Sequence, residues 1–115
     1  MPGMLSAVLP RGGQEEEALD VLRLVRSRRV GATTFHRLRA EHGSCRAALA
    51  ELPAIARAAG MSDYTPCPEG VARAELAAGH RAGARLLCHG GPDYPEALSE
   101  FADAPPVLWA NSERD

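Results

Sequence analysis

The chain has no lysine. All 13 of its basic side chains are arginine, against 15 acidic ones, for a net charge of −2 over 115 residues. The missing lysine removes Schiff-base chemistry from consideration. The near-balance of charge excludes a polybasic nucleic-acid protein as a global description, though not a local basic patch. Aromatics are scarce, with one Trp, two Tyr and two Phe. No apolar run approaches the roughly 18 residues of a membrane span. Cys45, Cys67 and Cys88 are widely spaced and form no CxxC pair, and any disulfide would leave one over, which favours a reducing compartment. The start of the chain has no basic residue ahead of its short apolar stretch, so it does not resemble a secretory signal. A soluble, cytoplasmic protein is expected.

What the sequence does contain is alanine. The hydrophobic fraction is 45%, but 21 of those side chains are Ala and 3 are Cys, leaving 28 larger ones. Ala buries little surface, so the core must be thin. A compact helical unit is within reach of such a composition; a large pocket around a buried catalytic apparatus is not.

Along the chain, residues 1–14 carry three Gly and two Pro without periodicity and read as a disordered tail. Glu15, Glu16 and Glu17 open a helix, whose apolar face is Ala18, Leu19, Val21, Leu22, Leu24 and Val25. It fades near Ser27 and Arg28. Arg29 to Ala32 forms a tight connection in which Gly31 is expected to supply positive φ. Thr33 or Thr34 then caps a second helix through Phe35, Leu38 and His42, closed by Gly43. Ser44 caps a third, with Ala48, Leu49 and Leu52 inward. Pro53 suits the first turn of a short fourth helix, stopped by Gly60. Residues 15–60 therefore read as one helical bundle, and the proline-bearing stretch 61–67 as a linker.

From residue 68 the texture changes. A helix over residues 68–82 has Val71, Leu76 and Ala78 as apolar positions and Gly79 as a weak point. Ala84 to His89 reads as a buried strand, Glu96 to Phe101 as one or two helical turns, and Val107 to Ala110 as a second strand. Helix, strand, helix, strand is the grammar of a parallel α/β sheet, here only begun, with an exposed edge and a loose attachment to the bundle.

Few chemical constellations survive scrutiny. No GxGxxG, Walker A or Gly-x-Ser-x-Gly sequence occurs, and no cofactor is expected. Four His and three Cys lack the spacing of zinc ligands, so no metal and no catalytic residue is assigned. The charge is nevertheless uneven. Between Arg23 and His42 stand six arginines (23, 26, 28, 29, 37 and 39) and one acid, Glu41, a local net of +5. Several flank the Val30-Gly31 connection. A helix–hairpin–helix presents backbone N–H groups of its hairpin, and of the following helix start, to phosphates. Arg28, Arg29, Val30, Gly31, Thr33, Thr34 and Arg37 are the candidate nucleic-acid-binding residues on this reading. The competing reading is a solvated arginine-bearing helix face.

Leu22 to Arg26, Val30 to Phe35, Leu38, and His42-Gly43-Ser44 with Ala47, Ala48 and Leu49 together resemble the N-terminal helical region of the DprA (Smf) family. Ala82 to Leu87, Gly91-Pro92-Asp93-Tyr94-Pro95, Leu98 and Asp103 to Leu108 look like the entry into that family's Rossmann-like domain. The resemblance covers about residues 15–110. It implies a SAM-like or helix–hairpin–helix domain over 15–60, then an incomplete Rossmann-like DNA-processing domain over 68–115, truncated relative to the family. It also implies a non-enzymatic role in natural transformation (competence) and DNA recombination: binding single-stranded DNA, shielding it, and helping to load the RecA recombinase. None of the family's principal DNA-contacting or dimer-forming positions falls within this chain. Weak single-stranded DNA binding and self-association through the exposed sheet edge are expected, with no membrane partner. The alternatives are a SAM-type protein-interaction module and a fragment without function.

Overall fold

The computed structural model describes residues 16–111. The expected tail over 1–14 lies outside them. Among the described residues, five helices and two strands follow in the order α1 (residues 16–26), α2 (Ala32–His42), α3 (Cys45–Ala58), α4 (Glu69–Arg81), β1 (Ala84–Cys88), α5 (Glu96–Ser99) and β2 (Val107–Asn111). The mainly helical architecture and the helix–strand–helix–strand sequence of the second half are as expected.

The apolar face of α1 is wide enough to be buried on two sides. Val21 and Leu24 join Val30, Phe35, Leu38, Cys45, Ala48, Leu49 and Leu52 in one core cluster. Leu19 and Leu22 join Cys67 and Ala72 in a second, and half-buried Val25 and Val107 touch both. Residues 61–111 are thus not loosely attached, contrary to the expectation for the second half. Cys67 is buried against α1, its N–H donates to Ser27 Oγ at 2.9 Å, and Arg23 Nε donates to its carbonyl at 2.8 Å.

Punctuation residues behave as their chemistry dictates. Gly43 closes α2 at φ +89°, donating to the Arg39 carbonyl, and Ser44 caps α3 by accepting from Ala47 N. Pro53 does not. It lies inside a continuous α3 rather than opening a fourth helix. A proline removes one helix bond and crowds the preceding turn. The buried stripe Cys45, Ala48, Leu49, Leu52 and Ala56 runs through that position, and packing of this face on the core offsets the defect.

The two strands also depart from expectation, because they pair antiparallel, with Ala84 opposite Asn111, Leu86 opposite Trp109 and Cys88 opposite Val107. A parallel return needs a substantial crossover, usually a helix, to carry the chain back. The connection here holds only the four-residue α5 and is pinned shut at its base. His89 N donates to Pro106 O at 2.9 Å, and Tyr94 Oη donates to Pro105 O at 2.7 Å.

Helix α4 turns an unexpected face inward. Val71 is 57% exposed, whereas Ala72 is buried and Leu76 half-buried. Continuing that stripe by one turn reaches Gly79, where a Cβ would overlap the Trp109 ring. The indole is fixed by donation from Nε1 to Glu75 Oε2 at 3.0 Å, and the same carboxylate takes a two-bond grip from Arg26, at 3.0 and 2.9 Å. One carboxylate thereby joins α1, α4 and β2. Hydrogen bonding from Arg26 holds the Glu75 carboxyl below its ordinary pKa, assisted by the bond from Trp109 and opposed by partial burial.

Two outcomes follow from this junction. Gly79→Ala gains helix propensity but drives a methyl into a ring that cannot retreat, and overpacking of this kind costs about 1–3 kcal/mol. Urea unfolding followed by Trp109 fluorescence should show the loss; equal or greater stability would mean that the ring does not lie on Gly79. Because folding depresses the Glu75 pKa, its contribution is present above the unfolded-state pKa and disappears as pH falls through the lower folded value. The stability advantage of the wild type over Glu75→Gln should accordingly shrink between about pH 7 and about pH 3 in denaturant titrations.

Candidate nucleic-acid interface

The connection between α1 and α2 is built around a buried hydroxyl. Ser27, 5% exposed, donates through Oγ to the Arg23 carbonyl at 2.7 Å and accepts from Cys67 N. Ser27 O in turn accepts from Val30 N at 3.1 Å, closing the turn. Val30 is buried in the core, so its side chain anchors the connection. The left-handed position is Arg29, at φ +69°, and not Gly31 as expected. Gly31 is extended, at φ −88°, and serves as the N-cap of α2. Burying Val30 fixes the phase of the turn two residues earlier than the glycine suggests, so the strained conformation falls on an arginine.

Because α2 begins at Ala32, Thr33 and Thr34 lie within its first turn and neither caps it. The N-cap provides no side-chain hydrogen bond, and no acid occupies that turn. The first N–H groups of a helix have no intrahelical acceptor, so this end is an open, electropositive terminus. Exposed Gly31 leaves the approach clear, since a Cβ there would meet nothing within 4 Å. Arg37 stands one turn further along, exposed, at i+4 from Thr33 and i+3 from Thr34. Its pairing with Glu41 is long, at 3.9 Å.

The six arginines of the basic stretch do not act alike. Arg23 holds Cys67, Arg26 grips Glu75, and Arg39 Nη1 donates to His89 O at 3.2 Å. Arg28 lies over the Tyr64 ring, 5.1 Å from its centroid, while Tyr64 Oη donates to the Arg28 carbonyl at 2.6 Å. Arg29 has no ionic or hydrogen-bonding partner among the described residues. Of the predicted set, Arg28, Arg29, Gly31, Thr33 and Arg37 are exposed and Thr34 is half-buried, while Val30 belongs to the core. They are distributed over the α1–α2 connection and the first half of α2. Sequence reasoning missed Ser27 and Tyr64. A single serine beside an arginine run carries no signal of burial, and the Cys67 N–H that donates to it lies 40 positions away.

Other chemistry is poorly provided for. Burial pushes the Cys45 thiol up to about 11, and burial also raises that of Cys88, which disfavours the reactive thiolate at either. Among the described residues no cluster of three or more His, Cys, Asp or Glu could hold a metal ion. None of the described helices is long and apolar enough to cross a membrane.

Residues 15–78 match the model of the DprA-like N-terminal HHH domain, more than half of the chain. The chain belongs to that family. The match takes in α1, the connection just described, α2, α3, the Tyr64–Cys67 segment and most of α4, and it stops before the two strands. No curated protein matches the chain.

Ser27 is the residue on which this DprA-like connection most depends. Ser27→Ala leaves the buried Cys67 N–H without an acceptor, a loss of about 1–3 kcal/mol. Thermal or urea unfolding should register it, together with faster amide exchange over residues 61–67. Unchanged exchange there would mean that the hydroxyl does not hold the segment.

Proposed function

We propose that this chain is a DNA-processing protein of the DprA type that binds single-stranded DNA, weakly and without sequence preference, through the start of α2. The observation that carries the reading is a helix terminus without a side-chain cap, preceded by Arg29, which has no partner among the described residues, and followed by the loosely paired Arg37. Backbone N–H groups would receive one phosphate and the two guanidiniums its neighbours, a mode that positions a strand without reading its bases. The wider role rests on the family resemblance. It comprises shielding of incoming DNA and assistance to RecA loading in natural transformation and recombination, by a cytoplasmic binding protein without a catalytic reaction of its own. Three free cysteines suit the reducing compartment where that work occurs.

Titration of the chain with labelled oligothymidylate over a range of salt concentrations tests the interface. With about two phosphates neutralised, the slope of log K against log salt should be roughly −1.5, and the dissociation constant near 10⁻⁴ M or weaker. Replacing Arg29 and Arg37 together by Ala should flatten the slope and weaken binding. Arg73→Ala, which removes a side chain already paired with Glu69 on α4, should change little. Binding that ignores salt and both arginines would turn the reading toward a SAM-type protein-interaction module, for which exposed Val71 is an available apolar contact.

A further inference from the structure

Beside the other end of α2 lies an open cleft of about 540 Å³, lined by His36, Arg39, Ala40 and Gly43 on one side and by the 89–102 segment on the other. Its size is that of a small-molecule site, on the order of 300–1,000 Å³. Three observations give it chemical character. Phe101 stands at its margin 61% exposed, an unusual position for one of only two phenylalanines in a chain short of large apolar side chains. Arg39 is set in place by its bond to the His89 carbonyl. Its Nη2 would lie 3.1 Å from a Cβ on Gly90, so the missing side chain there makes room for the guanidinium. The remaining guanidinium N–H groups have no partner among the described residues. His36 and His89 lie in tilted contact, with ring centroids 4.5 Å apart and planes 57° to one another, and His89 also meets Tyr94 edge-on at 5.2 Å. Bonding between His36 Nε2 and Ala104 O at 2.8 Å puts a proton on Nε2, since the carbonyl can only accept.

A planar apolar surface, a pre-positioned guanidinium fork and imidazole edges together suit a flat, hydrogen-bonding ring carrying an anionic group. A bare anion would not need the Phe101 surface, and an apolar peptide would leave Arg39 unanswered. We propose that this cleft binds a nucleoside monophosphate unit, with its base against Phe101 and its phosphate on Arg39. The unit is either a free nucleotide or one residue of a nucleic-acid strand. The site is separate from the start of α2 and does not rest on the reading of that terminus.

The test is a titration of the isotope-labelled full chain with thymidine 5′-monophosphate, followed by amide and side-chain NMR shifts. Saturable shifts should appear at His36, Arg39, His89, Gly90 and Phe101, with a dissociation constant on the order of 1 mM. Phe101→Ala and Arg39→Gln should each weaken binding about tenfold, the loss of one stacked base or one charge-assisted contact. Arg39→Lys, which keeps the charge but not the fork, controls for a folding defect and should fall between Arg39→Gln and the wild type. A short oligothymidylate that moves the same resonances, and loses this in Phe101→Ala, identifies a strand as the source; occupancy by the mononucleotide alone identifies a free nucleotide. Equal binding of inorganic phosphate, tighter binding of phosphotyrosine, or shifts confined to residues 28–34 and Arg37 would overturn the proposal. The last result would leave the α2 terminus intact as a DNA contact, so the two readings fail separately.

Discussion

Burial of α1 on two faces is the constraint from which the rest of the structure follows. A chain this rich in alanine has too few large side chains to fill two independent cores, so one helix must serve both. Val21 and Leu24 face the bundle of α2 and α3, while Leu19 and Leu22 face Cys67 and Ala72. At roughly 25 cal/mol per Å² of apolar surface, burying Leu19, Val21, Leu22 and Leu24 on two sides of one helix makes α1 a stabilising element of both clusters. The second half of the molecule is held because α1 needs it.

That arrangement also decides what happens to the arginines. A helix buried on two faces leaves only narrow strips for polar side chains, and those strips border the elements packed on either side. Arg23 and Arg26 emerge there, against the Cys67 carbonyl and the Glu75 carboxylate, and become ties between segments. Beyond the end of α1 the chain turns on Ser27, and the next arginines leave the packed region. The cationic stretch is therefore divided by packing, with its first members consumed in structure and Arg29 and Arg37 left in solvent. Net charge along a sequence cannot reveal such a division, since it depends on which acceptors arrive from residues 64–75.

Much of the helical half was legible because its signals are local. Gly43, Ser44 and Gly60 act through their own backbone geometry, and the apolar spacing of α1 and α3 needs no knowledge of partners. The misreadings share the opposite property. Pro53 stays inside α3 because a buried stripe on both sides of it outweighs a local penalty. Gly31 keeps ordinary φ because burial of Val30 sets the turn's phase. Ala72, rather than Val71, faces inward because Trp109 must lie on Gly79, an encounter between residues 30 positions apart. The antiparallel strands follow from a pinned connection whose bonds, Tyr94 to Pro105 and His89 to Pro106, are invisible to periodicity. Of the candidate site, the hairpin residues could be named from charge and spacing; Ser27 and Tyr64, which hold them, could not.

The two ends of α2 carry opposite electrostatics, and the residues placed there differ accordingly. At the N-terminus the open N–H groups are themselves electropositive, so an anion is favoured before any side chain contributes. Small and permissive residues suffice at that end, and Gly31, Ala32, Thr33 and Thr34 occupy it. At the C-terminus the carbonyl end of the dipole opposes an anion, and only fixed side-chain charge can reverse the sign. Arg39, in the last turn, sits where that reversal is needed, held by a carbonyl from the 89–102 segment and flanked by two imidazoles. With only Phe35 and Leu38 buried, α2 commits little of its surface to the core. Its two ends are consequently the places where this thin-cored molecule can turn polar groups outward without loosening the packing around α1.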